Sequence, residues 1–354
     1  MTGLRTETFG VTGSGESVER YVLANGQLEM SLLTWGATVQ SLLVPDQKLD
    51  LADVVLGFDD LAGYTSDHPY LGSVVGRYAN RIAAGRFTID GVDFQVPPND
   101  RGNALHGGAD GFHRQLWRAR PLEDSDVLGV EFSHRSPDGT MGFPGTLDST
   151  VRYTLDGGDV RIDYRATTDR PTEVNLTQHS YFNLSGRLGE SIEAHQLQIP
   201  ASRFLPVRSD SIPAGEPVTV EGTPFDFRRP KLVGNDIGAP DEQLLNGQGY
   251  DHSWLLDGWS GSPSPAARLL EPGSGRVLEV LTSEPAVQFY SGNQLDGTVR
   301  GKGDRAYRRR SGLCLETQHL PDSPNRPEFP STVLRPGEEF TSTTIWRFSA
   351  PNEP

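Results

Sequence analysis

The sequence predicts an all-β protein, built as a large antiparallel sandwich or barrel with few and short helices. Two observations carry this prediction. Apolar residues alternate with polar residues along much of the chain, which is the period of a half-buried strand. The 354 residues include 40 glycines and 26 prolines, roughly a fifth of the chain against about 12% in average proteins. So many turn residues favour short strands and disfavour a helical bundle.

Two hairpins illustrate the alternation. Phe87–Ile89 and Val92–Val96 alternate on either side of Asp90-Gly91, a dipeptide that favours a tight two-residue turn. A longer pair of strands lies within 151–166, on either side of Gly157-Gly158. Both patterns are typical of antiparallel sheets.

Further strands are predicted at 276–281, 286–290 and 340–348. Helical periodicity is rare, and Ser66–Val75 is the stretch that could hold a turn or two of helix. The linker-like stretch Gly258–Pro265 is read as a surface loop, because the strand pattern resumes after it. We therefore expect one domain over residues 1–354, with its core at 20–350 and a frayed tail at 350–354.

Charge and cysteine content exclude several partners. The chain has 32 Lys and Arg against 47 Asp and Glu, a formal net charge of −15, so nucleic acid is not an expected partner. The single cysteine, Cys314, can form neither an intramolecular disulfide nor a cysteine-based zinc site. The N-terminus lacks a signal-peptide pattern, and no run of 18 apolar residues occurs. We expect no membrane partner and a cytoplasmic location.

The first segment whose side chains could form a binding or catalytic site is Asn175–Leu184. If it is extended, one of its faces carries polar side chains, those of Asn175, Thr177, His179, Tyr181 and Asn183. Such a face is unusual for a core and normal for a binding site. From this segment alone, a buried histidine in a structural hydrogen-bond network is the more economical interpretation.

The second segment is Ser311–Leu320, in which Glu316 follows an apolar run. A partly buried carboxylate is a candidate general base, because burial and neighbouring charges tune its pKa. A structural salt bridge explains the same pattern. Four further segments each supply polar side chains that are weak evidence alone: Asn80 and Arg81; His106 before two glycines; Asp251 with Trp254; and Gln288 with Tyr290.

Several enzyme classes lack their sequence motif. The chain has no P-loop, no HExxH zinc motif and no GxSxG nucleophile elbow, and no GxGxxG opens a helix after a strand. The eight histidines are too dispersed for their spacing to predict a zinc site. We therefore predict neither a metal nor a cofactor.

Taken in order, these segments resemble the aldose 1-epimerase family, also called galactose mutarotases. The resemblance covers about 20–350 and is carried by GRYANRIAAGRF at Gly76–Phe87, NALHGG at Asn103–Gly108, NLTQHSYFNL at Asn175–Leu184, PFDF at Pro224–Phe227, YDHSWLL at Tyr250–Leu256, VQFYSGN at Val287–Asn293 and LCLETQHLPDSPN at Leu313–Asn325. The early GATVQSLLVPD at Gly36–Asp46 also resembles the family's first strands.

The resemblance implies a mutarotase-like antiparallel supersandwich and the interconversion of α and β anomers of free aldohexoses such as galactose and glucose. It implies that His179 is the general acid and Glu316 the general base. It also implies that five residues hold sugar hydroxyls: Asn80, Arg81, His106, Asp251 and Gln288. The implied partner is a small sugar, with the protein a monomer or homodimer.

One residue departs from the family pattern. Gln178 stands where Asn is expected before the histidine, and we expect its side chain to point away from the His179 face. Tyr290 or Trp254 could cover the sugar's C–H surface, and core packing is the alternative for both.

Three rival functions remain to be tested. A glycoside hydrolase could use Asp251 and Glu316 as its two carboxylates but would leave His179 without a role. A sugar-binding module would need neither His179 nor Glu316. An epimerase for a phosphorylated hexose would need additional Arg or Lys near the phosphate.

Overall fold

The computed structural model describes residues 2–122 and 127–350. Within these residues the chain forms seven sheets, and every strand pair in them is antiparallel. The predicted all-β class is confirmed. Of the tail predicted to be frayed, 351–354 lie outside the described residues.

The N-terminal sheet is a meander, in which strands that follow one another in the chain are neighbours in space. Its five strands are Gly3–Val11, Ser17–Ala24, Glu29–Leu33, Thr38–Pro45 and Leu51–Asp53.

The large sheet has nine strands. In spatial order they are Arg118–Pro121, Leu128–Ser136, Leu147–Asp156, Asp159–Thr168, Phe340–Ser349, Val277–Thr282, Ser264–Leu270, Gln196–Gln198 and Lys231–Leu232. Its strands alternate as the sequence predicts: Val151, Tyr153 and Leu155 are buried, whereas Arg152 is exposed. Burying each such large apolar side chain contributes about 1.5–3 kcal/mol.

The central sheet has five strands and carries the polar segments of interest. In spatial order they are Val218–Thr219, Arg203–Leu205, Asp251–Leu255, Ala286–Tyr290 and Cys314–Gln318. Strand Ser264–Leu270 begins inside the predicted loop 258–265, so that loop is shorter than expected.

Four two-stranded ribbons complete the sheets of the described residues. They are Val74–Val75 with Thr177–Gln178, Arg81–Ile82 with Ala104–Leu105, Arg86–Ile89 with Val92–Gln95, and Thr172–Glu173 with Val333–Leu334. In the third ribbon Ile89 pairs with Val92, and the turn residues Asp90 and Gly91 both have positive φ, 52° and 79°. This is the tight turn that the sequence predicts.

Helices are few and short. The described residues form α-helices at Leu61–Thr65 and Glu242–Gly247, and 3₁₀ turns at Ala83–Gly85, Phe112–Arg114, Thr140–Gly142, Lys302–Asp304 and Ser323–Asn325. None of the helices in this part of the chain is long and apolar enough to cross a bilayer.

The helix predicted within Ser66–Val75 is wrong. The helix lies just before it, because the Asp60 carboxylate accepts a hydrogen bond from the Gly63 amide and so caps the first turn. The helix ends at Ser66, and Val74–Val75 belongs to a ribbon. Pro69 also disfavours helical conformation in the residue before it.

The main core connects residues from both ends of the chain. Its largest hydrophobic cluster includes Tyr21 and Met30 near the N-terminus, and Trp346 and Phe348 near the C-terminus. The central sheet contributes one face to this cluster through residues such as Phe289. A single domain over 1–354 stays a prediction.

Candidate active site

One face of the central sheet forms the floor of the candidate site. Gln288 lies opposite both Ser253 and Glu316 in the neighbouring strands, and directly opposed residues project to the same face. Asp251, two residues before Ser253, shares that face because strand side chains alternate. The neighbouring position Phe289 points the other way, into the main core.

Hydrogen bonds fix the orientation of the Gln288 amide. Its Nε2 donates to Asp251 Oδ1 at 2.7 Å, and Ser253 Oγ donates to its Oε1 at 2.5 Å. Glu316 is different: its Oε2 is buried and has no hydrogen-bond partner among the described residues. A buried acceptor without a hydrogen bond costs free energy, so this carboxyl oxygen is available to accept a hydrogen bond from a ligand.

His179 reaches the site from the ribbon that pairs Val74–Val75 with Thr177–Gln178. Two backbone hydrogen bonds anchor it just beyond the ribbon. Its amide donates to the Ser73 carbonyl at 2.9 Å, and the Gly72 amide donates to its carbonyl at 3.0 Å. The ring Nε2 then lies 3.7 Å from Glu316 Oε1.

His106 enters from a second loop and is held by Asn80. The His106 amide donates to the Asn80 carbonyl at 3.0 Å, and the Asn80 amide donates to His106 Nδ1 at 3.1 Å. Both residues have positive φ, 51° and 61°, a conformation that costs non-glycine residues free energy and clusters at functional sites. The local strain is therefore tied to the placement of this imidazole.

Three groups from distant parts of the sequence meet here. A ring nitrogen of His106, a ring nitrogen of His179 and a carboxylate oxygen of Glu316 all lie within 4.8 Å of one another. Their residues are 5%, 4% and 2% exposed. The His106 and His179 rings meet edge to face, with centroids 5.1 Å apart.

Arg81 supplies the positive charge near these carboxylates. Its Nε donates to Asp100 Oδ2 at 2.9 Å, and among the described residues no acceptor pairs with its two Nη groups. Its charge lowers the pKa values of both Asp251 and Glu316. The free Nη groups are suited to bind adjacent oxygen atoms of a ligand.

Burial dominates the electrostatics of the reacting groups. It raises the pKa of Glu316 well above its usual range, ionised Asp251 raises it further, and Arg81 opposes both. Burial also raises the pKa of Asp251 and lowers the pKa of His179 to about 4. In each case the interior disfavours the charged form. Burial therefore biases the pair toward a protonated Glu316 and a neutral His179.

The same three donors could suggest a metal site, but His106 does not fit one. Because its Nδ1 accepts the Asn80 amide proton, the proton of the neutral ring lies on Nε2. A metal ion binds a nitrogen lone pair, so it would have to displace that proton or break the hydrogen bond. His106 is instead suited to donate a hydrogen bond into the site.

An open cleft of about 690 Å³ gives access to this region. Tyr70 lines the cleft and also contacts the histidines, with ring centroids 4.5 Å from His106 and 5.7 Å from His179. Asp100, the partner of Arg81, lies on the same wall. A small polar molecule can therefore approach the buried groups from solvent.

The structure brings the sequence-predicted site residues close to one another. Asp251 and Gln288 join Glu316 on the sheet, Asn80 holds His106, and Arg81 acts on both carboxylates. Trp254 lies fully buried in the main core, so core packing, rather than contact with a sugar, is the alternative that holds for this residue. Tyr290 is 8% exposed and packs on Tyr181.

The side chain of Gln178 points away from His179. Its Nε2 donates to the Gly72 carbonyl. The added methylene is therefore accommodated behind the site, as expected from the alternation of the strand.

Three residues at the site were not anticipated from the sequence. They are Tyr70, Asp100 and Cys314, whose Sγ lies 3.6 Å from His179 Nδ1. Cys314 had a usable signal, because it lies two positions before Glu316 on the same strand. Tyr70 and Asp100 are in loops, where no periodicity identifies the direction of a side chain.

Comparison with known proteins identifies the family of this chain. The family model for aldose 1-epimerase matches residues 19–347. The chain is 48% identical to galactose mutarotase of Bos taurus over 351 residues, which are 99% of each chain. It is 40% identical to aldose 1-epimerase of Escherichia coli (strain K12) over 348 residues, 97% of this chain and 99% of that one.

A solved structure supports the same assignment. Galactose 1-epimerase from Lactobacillus acidophilus NCFM has a TM-score of 0.87 at 29% identity, covering 99% of this chain and 100% of that one. The resemblance found in the sequence is thus confirmed, and the chain belongs to the aldose 1-epimerase family of isomerases.

Proposed function

We propose that this chain interconverts the α and β anomers of free aldohexoses such as galactose and glucose, with His179 as general acid and Glu316 as general base. The observation that carries the proposal is the buried His179–Glu316 pair, with Nε2 and Oε1 at 3.7 Å and Glu316 Oε2 unpaired. Such a pair can remove one proton and deliver another on the same small molecule.

Ring opening uses the pair once the shared proton has moved from Glu316 to His179. Glu316 carboxylate takes the proton of the C1 hydroxyl while the C1–O5 bond breaks, and its electron pair goes to O5. His179 imidazolium gives its Nε2 proton to O5. The products are the open-chain aldehyde, a carboxylic acid at Glu316 and a neutral imidazole at His179.

Ring closure is the same step in reverse, after rotation about C1–C2. His179 takes the C5 hydroxyl proton, O5 attacks the other face of C1, and Glu316 returns a proton to the C1 oxygen. The pair therefore carries one proton throughout and only changes which member holds it. Atoms and electrons balance without an oxidant or a transferred group.

Five residues would hold the sugar hydroxyls. Arg81 offers its free Nη groups, and His106 offers Nε2–H. The Asn80 side-chain oxygen accepts the Arg81 amide proton at 2.9 Å, which leaves its NH₂ for a ligand. Asp251 and Gln288 present a fixed acceptor and donor pair. Hydroxyls both donate and accept, so this mixture suits a pair of adjacent hydroxyls.

The activity is tested by polarimetry of freshly dissolved α-D-galactose and α-D-glucose, with and without the protein. We expect acceleration of both, because each of these groups acts on features common to the two sugars. Methyl α-D-galactoside is the control, since it has no free C1 hydroxyl and its rotation should not change. Acceleration restricted to α-D-glucose 6-phosphate would contradict the choice of free sugars.

Two further outcomes separate the rival functions. Release of methanol from the methyl galactoside would indicate a glycoside hydrolase. Binding of galactose in calorimetry without acceleration would indicate a sugar-binding protein. A cytoplasmic location and a monomeric or homodimeric state accompany the proposal as expectations, to be checked by fractionation and light scattering.

A further inference from the structure

We propose that Cys314 is a positioning residue for His179: its sulfur accepts a hydrogen bond from Nδ1–H and keeps Nε2 as the nitrogen that exchanges the proton. The inference rests on the proposed function, because it assigns the partner of the general acid. The observation that carries it is the 3.6 Å contact between Cys314 Sγ and His179 Nδ1.

The contact has a fixed geometry. Cys314 lies on the same strand as Glu316, two positions away, so their side chains share the face that His179 approaches. Side chains of one strand therefore lie near both ring nitrogens of His179: Cys314 Sγ is 3.6 Å from Nδ1, and Glu316 Oε1 is 3.7 Å from Nε2. This arrangement leaves the imidazole little freedom to rotate or flip.

The reaction requires a particular tautomer. After imidazolium gives its Nε2 proton to O5, the neutral ring carries its proton on Nδ1. Only this tautomer has a lone pair on Nε2 to take the C5 hydroxyl proton during closure. An acceptor at Nδ1 favours this tautomer, and a thiol sulfur is an acceptor, although a weak one.

A thiol also differs from the carboxylate that often partners a catalytic histidine. Cys314 is fully buried, and burial raises the pKa of its thiol, with Glu316 and Asp251 adding to the shift. The partner of Nδ1 is therefore uncharged, so it orients the ring without stabilising the imidazolium. This agrees with a His179 whose pKa is low and whose proton moves readily to O5.

Other groups around His179 do not take this role. The titratable side chains that contact it or act on it electrostatically are Glu316, Cys314, His106, Tyr70, Tyr181, His68 and His113. Of these side chains, Cys314 is the one whose polar atom is within hydrogen-bond distance of Nδ1 in the described part of the chain; besides the side chains, the backbone of His179 itself acts on the ring and raises its pKa.

The test compares Cys314→Ala with Cys314→Ser. Serine keeps an acceptor at Nδ1 and alanine removes it. For galactose we expect Cys314→Ala to lower kcat about 3- to 10-fold, the loss of one net hydrogen bond, with KM within about twofold of wild type. Cys314→Ser should restore most of kcat. Equal losses in two folded variants, or wild-type kcat in folded Cys314→Ala, would overturn the proposal.

A second readout does not depend on activity. Nitrogen-15 NMR of histidine-labelled protein reports the tautomer of each ring, and the His179 signals are assigned by their loss in His179→Asn. We expect Nδ1–H in the wild type and a shift toward Nε2–H in Cys314→Ala. Nε2–H in the wild type would overturn the proposal, even if Cys314→Ala does not fold. Absence of galactose mutarotation by the wild type would instead contradict the proposed function.

Discussion

Two His–Glu pairs, one buried and one partly buried, differ in what they leave open. In one, His319 Nδ1 and Glu284 Oε2 are 2.7 Å apart and hydrogen-bonded. In the other, His179 Nε2 and Glu316 Oε1 are 3.7 Å apart, and Glu316 Oε2 has no partner in the described chain. In the closed pair, His319–Glu284, the two side chains are hydrogen-bonded to each other. In the open pair, His179–Glu316, the longer distance and the unpaired oxygen leave space and an acceptor for a ligand.

The pKa values of the two histidines differ as well. Burial lowers the pKa of His319, but the charge and hydrogen bond of Glu284 outweigh it, so the pKa is raised. The pKa of His179 falls to about 4, because burial dominates there. The 2.7 Å contact with Glu284 thus outweighs burial at His319, whereas burial prevails at His179, which lies 3.7 Å from Glu316.

Two arginines repeat the contrast within one segment. Arg77 is buried and makes five hydrogen bonds, one to Ser136 Oγ and four to the carbonyls of Ser136, Pro137, Pro144 and Gly145. Arg81 is also buried, and within the described part of the chain its one side-chain hydrogen bond runs from Nε to Asp100. Buried polar groups are normally satisfied, so we expect the Arg81 side chain to bind a ligand and the Arg77 side chain to support the fold.

The largest expected effect comes from breaking the open pair. His179→Asn and Glu316→Gln should each lower kcat for galactose about 10²–10⁴-fold, the usual contribution of a positioned acid or base. The double variant should be little worse than either single one, because both groups act in one step. More than a tenth of the wild-type rate in either folded single variant would contradict their roles.

The arginine comparison predicts effects of different kinds. Arg81→Ala should raise KM about 10- to 100-fold through lost charged hydrogen bonds to the sugar, with little change in the urea midpoint. Arg77→Ala should lower the free energy of unfolding by about 3 kcal/mol or more, because it leaves buried carbonyls unpaired, and KM should stay unchanged in folded protein. A reversal of these two results would contradict the distinction.

The pH dependence of kcat sharpens the account of the open pair. Activity requires one proton on His179 and Glu316 together. Burial lowers the pKa at which the pair gains a second proton and raises the pKa at which it loses the only one. We therefore expect a broad plateau of kcat, which falls at low pH when the pair gains a second proton and at high pH when it loses its only proton. A narrow maximum, or a profile altered equally by His319→Asn, would contradict this view.

The smallest effect concerns stability and the closed pair. The pKa of folded His319 is raised above its unfolded value. Its stabilising contribution is therefore fully present below pH 6.5 and is lost as pH rises through the folded value. The difference in Tm between wild type and His319→Asn should shrink as pH rises from 6 to 9. A difference in Tm that grows with pH would contradict the upward shift of the His319 pKa in the folded protein.

The sequence predicts much of the fold because strand alternation and turn chemistry are local. The hairpin at Asp90-Gly91 follows from residues next to one another in the chain. The misplaced helix shows the limit: the Asp60 cap decides where it begins, and that signal competes with weak apolar periodicity. The second α-helix, Glu242–Gly247, begins at Asp241 for the same reason.

The sequence predicts candidate residues for the site, but it does not predict the contacts between their side chains. The contact of Cys314 with His179 spans 135 positions in the sequence and depends on strand register. The link of Arg81 to Asp100, and the ring of Tyr70 against His106, depend on loops with positive φ. Sequence periodicity carries no information on such loop conformations.

The most direct test of the account measures galactose mutarotation by wild type, Glu316→Gln and Glu284→Gln at equal concentrations of folded protein. The two variants make the same chemical change in the two His–Glu pairs. We predict that Glu316→Gln loses nearly all enzymatic acceleration and that Glu284→Gln stays within a few-fold of wild type. Equal activity in the two variants, or a greater loss in Glu284→Gln, would contradict the assignment of the open pair as the catalytic one.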